Sequence, residues 1–262
     1  MYKGAVFFDY DGTLIDGAAG IMETTARTRQ AIAQLRERGY LAVLDTGRAM
    51  CYASSSGVEF DGMITSNGSY ALVCGEEVLN APIGAEVLGR LTTRLNEMGI
   101  YYGIDHPVKC YARDQKEASF VHWLDTFGIS PDIFRPIPKD EQPVGYKLSV
   151  LYHTMEEVEA LRAEFGRDFA FDCHRGYPCV DVTPAGANKG TGVRAVIEHF
   201  GLDPAETYAF GDGENDLDML KNVRHAVAMG KYAPPLKEAC EFITKTVKDD
   251  GIAFGLAHYG LI

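Results

Sequence analysis

The stretch Ala5-Val6-Phe7-Phe8-Asp9-Tyr10-Asp11-Gly12-Thr13 decides how the rest of the chain is read. Its short continuous apolar run, Ala5 to Phe8, has the pattern of a strand buried on both faces of a parallel sheet. Asp9 closes the run, and Gly12 lets the chain turn away at once. Two carboxylates two residues apart at the end of a buried strand are costly to crowd without a cation. The plainer readings are an Asp-rich turn capping its own amides, or the start of a calcium loop, although the later ligands of such a loop are absent.

Outward from this segment, Ala31, Ile32 and Leu35 recur at helical spacing within Thr24 to Arg38. Gly39 ends that helix, and Leu41 to Leu44 makes a second buried strand, giving a β-α-β unit. A third strand is predicted at Met63 to Thr65, before the turn signal Asn67-Gly68 and a hairpin-like stretch from Tyr70 to Val78. The C-terminal part repeats the style. A helix from Lys189 to Phe200 precedes a strand at Tyr208 to Phe210, a helix from Leu217, and strands near Ala226 to Met229 and Phe242 to Thr244. Such alternation builds a parallel sheet flanked by helices, whose ligands sit beyond the carboxyl ends of the strands. Asp9, Thr46 and Asp212 all fall at those ends.

Between Asn80 and Asp181 the pattern changes. Helices are predicted near Glu86 to Met98, Gln115 to Phe127 and Met155 to Phe165, interleaved with strands such as Tyr146 to Tyr152. Strands at Phe169 to Cys173 and Cys179 to Val182 flank a hairpin tip, His174-Arg175-Gly176-Tyr177-Pro178, whereas Arg135-Pro136-Ile137-Pro138 reads as a loop. The expected organisation is therefore a Rossmann-like α/β core from residues 1–79 and 183–262, with an α+β domain inserted at residues 80–182.

Composition narrows the function. With 37 acidic against 25 basic residues the net charge is -12, a field that repels nucleic acid and anionic membranes. It would repel a phosphorylated substrate too, so a phosphate site here needs a local cation. The six cysteines form no C-x-x-C pair and read as reduced core thiols. The N-terminal apolar run is too short for a signal peptide and no stretch has the length of a membrane helix, so cytoplasmic residence is expected.

Three further elements carry candidate chemistry. In Asp45-Thr46-Gly47-Arg48 a hydroxyl and the following amides could hold phosphate oxygens at a helix N-terminus; a Thr cap followed by a flexible glycine is the alternative. Lys189 follows a glycine-containing turn at a helix start. Gly211-Asp212-Gly213-Glu214-Asn215-Asp216 places three acids between a strand and a helix, with glycines suited to close approach of a ligand.

In this order, at strand ends and helix starts, Asp9-x-Asp11-Gly-Thr, Thr46-Gly-Arg, Lys189-Gly190 and Gly-Asp212-Gly-x-Asn215-Asp216 resemble the four motifs of the haloacid dehalogenase (HAD) superfamily. Over essentially its whole length the chain is similar to the Cof-type phosphatases with a type IIB cap. Only 34 residues separate Asp11 from Thr46 but 142 separate Thr46 from Lys189, so the resemblance places the cap between motifs two and three.

The resemblance implies a magnesium-dependent phosphatase of small phosphorylated metabolites such as sugar phosphates; from the charge, nucleic acid and membranes are not expected as partners. Asp9 is then the nucleophile that forms an aspartyl phosphate, and Asp11 the general acid and base. Magnesium is held by the Asp9 carboxylate, the Asp11 carbonyl and Asp212, with Asp216 and Asn215 supporting the metal or the phosphate. Thr46, Gly47, Lys189 and Asn215 bind phosphoryl oxygens. His174, Arg175 and Tyr177 are candidates for leaving-group contacts, a solvated hairpin tip being the alternative. Two other readings stand beside this one: a phosphomannomutase-like mutase, from which the short fourth motif differs, and a noncatalytic phosphate sensor or receiver, against which Asp11 argues.

Overall fold

The structure, a computed structural model, describes residues 2–138, 141, 143–174 and 176–262. Its strands and helices run β1 Gly4–Phe8, α1 Ala26–Glu37, β2 Tyr40–Asp45, β3 Gly62–Thr65, β4 Tyr70–Val73, β5 Glu76–Asn80, α2 Ala85–Glu97, β6 Tyr101–Ile104, β7 Cys110–Ala112, α3 Ala118–Phe127, β8 Phe134–Pro136, β9 Leu148–Leu151, α4 Met155–Phe165, β10 Phe169–Cys173, β11 Cys179–Pro184, α5 Lys189–Phe200, β12 Thr207–Gly211, α6 Leu217–Lys221, β13 His225–Ala228, α7 Leu236–Ala239, β14 Phe242–Ile243 and α8 Gly251–His258. They fall into two compact units, residues 2–47, 54–79 and 188–262 in the first, and 48–53 with the described part of 80–187 in the second.

The first unit is built on a sheet of order β14-β13-β12-β1-β2-β3-β4-β5. It is parallel from β14 to β3, and β4 turns back antiparallel on β3. Alternation along the central strands divides the core into two layers. Val6, Phe8, Ala42 and Leu44 pack with Ala31, Ile32 and Leu35 of α1, while Ala5, Phe7, Leu41 and Val43 pack with Val193 and Val196 of α5. Both helices start on side-chain caps that satisfy otherwise orphaned amides. The Thr25 hydroxyl accepts from the Thr28 amide at 3.2 Å for α1, and for α5 the Asn188 side chain accepts from the Thr191 amide at 3.0 Å.

The second unit has a six-stranded sheet of order β10-β11-β9-β6-β7-β8, antiparallel except between β7 and β8. One face packs on α2 and α4, and α3 lies against Tyr101, Cys110, Leu151 and Cys179 of the other. The loop expected at Arg135-Pro136 is instead the end of β8. Proline is tolerated there because β8 is the edge strand and needs no second row of backbone donors. The reading of all six cysteines as core thiols is also corrected. All are free, but only Cys110 and Cys179 are buried, and Cys74 and Cys173 are exposed. No helix among the described residues is long and apolar enough to cross a membrane.

Candidate active site

The first unit gathers its acids where three parallel strands end. β1 runs straight into Asp9, whose amide donates to the Phe210 carbonyl of β12 at 3.0 Å. The Asp9 side chain is therefore held at the carboxyl end of the central strands and is only 6% exposed. The chain then reverses, and Gly12 donates its amide to the Ile15 carbonyl at 2.7 Å with φ +97. Glycine is required twice over at this position. The backbone is left-handed, and a Cβ would stand 2.2 Å from an oxygen of the Asp212 carboxylate. The Thr13 hydroxyl donates to Asp212 Oδ1 at 3.3 Å, tying the first motif to the fourth.

α5 delivers the cation. Its first residue, Lys189, is 1% exposed and donates from Nζ to Asp9 Oδ1 at 2.5 Å and to Asp216 Oδ1 at 2.6 Å. The other oxygen of Asp216 accepts the amides of Asp212 and Gly213, each at 2.8 Å. Asp216 thus closes its own turn and anchors the lysine with the same carboxylate. The turn Thr65 to Ser69 packs against the start of α5, where a Cβ on Gly68, at φ +81, would lie 1.9 Å from the Asn188 carbonyl.

Asp9, Asp212 and Asp216 each offer an oxygen within 4.8 Å of the others. Three acids around one ammonium leave excess negative charge. Burial first, and then the charge of Asp216, push the Asp9 carboxyl up to about 7 despite Lys189. Burial, then Asp9 and Asp216, push Asp212 up to about 9. The Asp9 and Asp216 carboxylates in turn raise Lys189 above the usual lysine range against its burial. An all-oxygen donor set with an excess of negative charge fits a hard divalent cation.

The remaining expected residues are placed as follows. Thr46 is buried at the end of β2, its amide donating to the Ile64 carbonyl at 3.0 Å, with Gly47 half-buried after it. The helix expected to start there does not form. A single turn closes through the Ala53 amide on the Ala49 carbonyl at 2.8 Å, the chain is irregular over residues 53–55, and Ser56 and Gly57 make a separate turn in left-handed backbone. Asp11 is exposed in the turn after Asp9, and Asn215 is exposed on the turn between Asp212 and Asp216.

In the second unit His174 Nε2 lies 3.3 Å from Asp181 Oδ1, and the rings of His174 and Tyr177 both meet Phe127 edge-on. Arg175 lies outside the described residues. The sequence reading missed the buried network beside them. Lys147 Nζ reaches Asp181 at 2.7 Å, Asp105 at 3.3 Å and the Ser149 hydroxyl at 3.1 Å. A lysine within the strand expected at Tyr146 to Tyr152, beside the apolar residues of β9, was the available signal. Asp45 was also passed over, although it is fully buried immediately before Thr46.

A family model for haloacid dehalogenase-like hydrolases matches residues 6–256. The chain is a haloacid dehalogenase-like hydrolase. It belongs with the phosphatases of that family, as its relatives indicate. This hydrolase is 32% identical over 269 residues to YkrA of Bacillus subtilis strain 168, which is named a phosphatase only provisionally, with 100% of both chains covered. It is 31% identical over 251 residues to a protein of Serratia proteamaculans named HMP-PP phosphatase, covering 90% of this chain and 87% of that one. Its fold superposes with TM-score 0.84 on a solved structure described as the HAD subclass IIB sugar phosphatase BT4131, at 26% identity, covering 98% of this chain and 99% of the other. The two α/β units are thus the Rossmann-like core and cap of this superfamily.

Proposed function

We propose that the enzyme is a magnesium-dependent phosphatase of small phosphomonoesters, sugar phosphates foremost, working through an aspartyl phosphate on Asp9. The observation that carries this reading is the Lys189 ammonium held between Asp9 and Asp216 beside the Asp212 carboxylate. It joins a nucleophile, a phosphate-binding cation and an acidic metal-binding set within one buried cluster. Likeness to a solved sugar phosphatase supports the substrate class.

The Asp9, Asp212 and Asp216 carboxylates and the Asp11 backbone carbonyl would hold the magnesium ion, which when bound would supply positive charge that offsets these carboxylates and the phosphate dianion. An Asp9 oxygen forms a bond to phosphorus as the bond from phosphorus to the leaving oxygen breaks. Asp11, exposed two residues on, gives its proton to that oxygen. A water then forms the new bond to phosphorus, yields its proton to Asp11, and the bond to Asp9 breaks, restoring both carboxyl groups. Throughout, Lys189, the Thr46 hydroxyl, the Gly47 amide and Asn215 bind the remaining phosphoryl oxygens, whose charge is the main thing to be stabilised. Residues 80–182 act as the cap that contacts the leaving group, with His174, Arg175 and Tyr177 as candidates.

The test is phosphate release from a panel of sugar phosphates, nucleotides and phosphorylated cofactors, with magnesium and with chelator, in the native protein and in Asp9→Asn. Release that needs magnesium and vanishes in the variant is expected. Release that persists in Asp9→Asn, or no release on any substrate, contradicts the reading.

A further inference from the structure

Two aspartates stand side by side where β1 and β2 end. Phe8 lies opposite Leu44 in the parallel pairing, and Phe7 and Val43 share the core layer beneath α5. The two-residue alternation of a strand then puts Asp9 and Asp45 on that same face as neighbours. On the other flank of β1 the matching position is Gly211, where a Cβ would come within 2.7 Å of the Asp216 side chain. Ile64 of β3 is the register partner of Asp45. The row along the sheet end reads Ile64, Asp45, Asp9, Gly211, and Lys189 starts the helix on that face.

Asp45 is 0% exposed, and among the described residues neither of its carboxyl oxygens has a hydrogen-bond partner. Leaving a buried polar group unpaired costs roughly 1–3 kcal/mol, more when it is charged, so such a group calls for an explanation. Of the charged groups acting on it, Lys189 attracts and Asp216 and Asp9 repel. No step of the reaction described above uses it.

Lys189 has three N–H donors. Two go to Asp9 and Asp216 in the free enzyme. When Asp9 becomes an acyl phosphate its carboxylate charge is lost and only a neutral carbonyl oxygen remains, so the lysine loses a charged partner just when the ammonium must stay on the phosphoryl oxygens. We propose that Asp45 is a positioning residue that takes over from Asp9 as the second carboxyl partner of Lys189 in the phosphorylated enzyme. The three donors are then divided among Asp216, Asp45 and a phosphoryl oxygen. The inference rests on the aspartyl-phosphate reading of Asp9. It places the influence of Asp45 on hydrolysis of the intermediate rather than on its formation.

p-Nitrophenyl phosphate separates the two steps, because the first releases p-nitrophenolate and the second limits turnover once it is slowed. With Asp45→Asn and Asp45→Ala, both checked for native circular dichroism and melting temperature, kcat should fall tenfold or more while kcat/KM stays within twofold. A burst of about one p-nitrophenolate per site should accompany the slow steady state. A merely structural contact would lower kcat/KM along with kcat and give no burst. Wild-type kcat in the folded variants, or a parallel loss of kcat and kcat/KM, overturns the assignment of Asp45. Turnover that survives in Asp9→Asn removes instead the reading on which it rests.

Discussion

Replacing Lys189 with methionine removes the only cation seen on the Asp9 and Asp216 carboxylates among the described residues. The Lys189 side chain is 1% exposed, and its two charge-assisted bonds measure 2.5 and 2.6 Å. Methionine fills the volume of the aliphatic stem, so the loss falls on the charge. Breaking a buried pair by removing one partner typically costs about 3–5 kcal/mol, since the other charge is left uncompensated. For a chain of this size that corresponds to a fall in melting temperature on the order of 10 °C. Calorimetry of native and Lys189→Met protein near neutral pH, in chelator and in millimolar magnesium, reads the effect. The fall should be larger in chelator, because a divalent cation restores part of the missing positive charge. A variant that melts with or above the native protein in chelator would refute the idea that Lys189 neutralises this cluster.

Gly12→Ala puts a methyl 2.2 Å from the Asp212 carboxylate on left-handed backbone, so kcat should fall by about 100-fold or more, a misplacement effect, while the circular dichroism stays native; activity within threefold of native would contradict the packing argument. The folded carboxyls of Asp9 and Asp212 sit at about 7 and about 9, above their ordinary value of 3.8. The folded state therefore binds protons more tightly than the unfolded one, and these two groups make the metal-free protein less stable as pH rises from about 4 toward 9. Melting temperatures in chelator should decline across that window and those in magnesium should decline less; parallel curves would count against a shared cation site. In the second unit Lys147→Met strands Asp105 and Asp181, buried carboxylates 3.3 and 2.7 Å away. Urea denaturation should show a loss of about 3–5 kcal/mol, and a stabilised variant would show that the network is dispensable.

The parts of this molecule that could be read from sequence are those whose signal is local. Ala5 to Phe8 and Leu41 to Leu44 are apolar runs that end in acid, and both strands lie at the sheet centre with Asp9 and Asp45 at their ends. Asn188-Lys189 marked the start of α5 because the cap and the helix are neighbours in the chain. β6 and β7 escaped notice, being three or four residues long with Gly103 in the first of them. β8 escaped because Pro136 argues against a strand unless its edge position is known. A helix after Thr46 was a fair local expectation, but the chain makes only one turn there and is irregular from Ala53 to Ser55.

The anchoring of Lys189 by Asp216 and the role of Lys147 depended on contacts that no local pattern reports. Asp216 resembles any acid near a helix start until the amides of Asp212 and Gly213 are seen on one of its oxygens and Lys189 on the other. Lys147 finds its carboxylates on β11 and just beyond β6, far away in sequence. Charge excess gave a hint of the site: an acidic chain that handles phosphate needs local positive charge, and Lys189 supplies one unit of it among three acids.

The most direct test of the account is to locate the covalent phosphate. Native enzyme mixed with magnesium and a turned-over phosphomonoester, quenched in acid within milliseconds and digested, should yield one phosphorylated peptide, modified at Asp9. A phosphoryl group on any other residue, or none at any quench time while phosphate is still released, would contradict it.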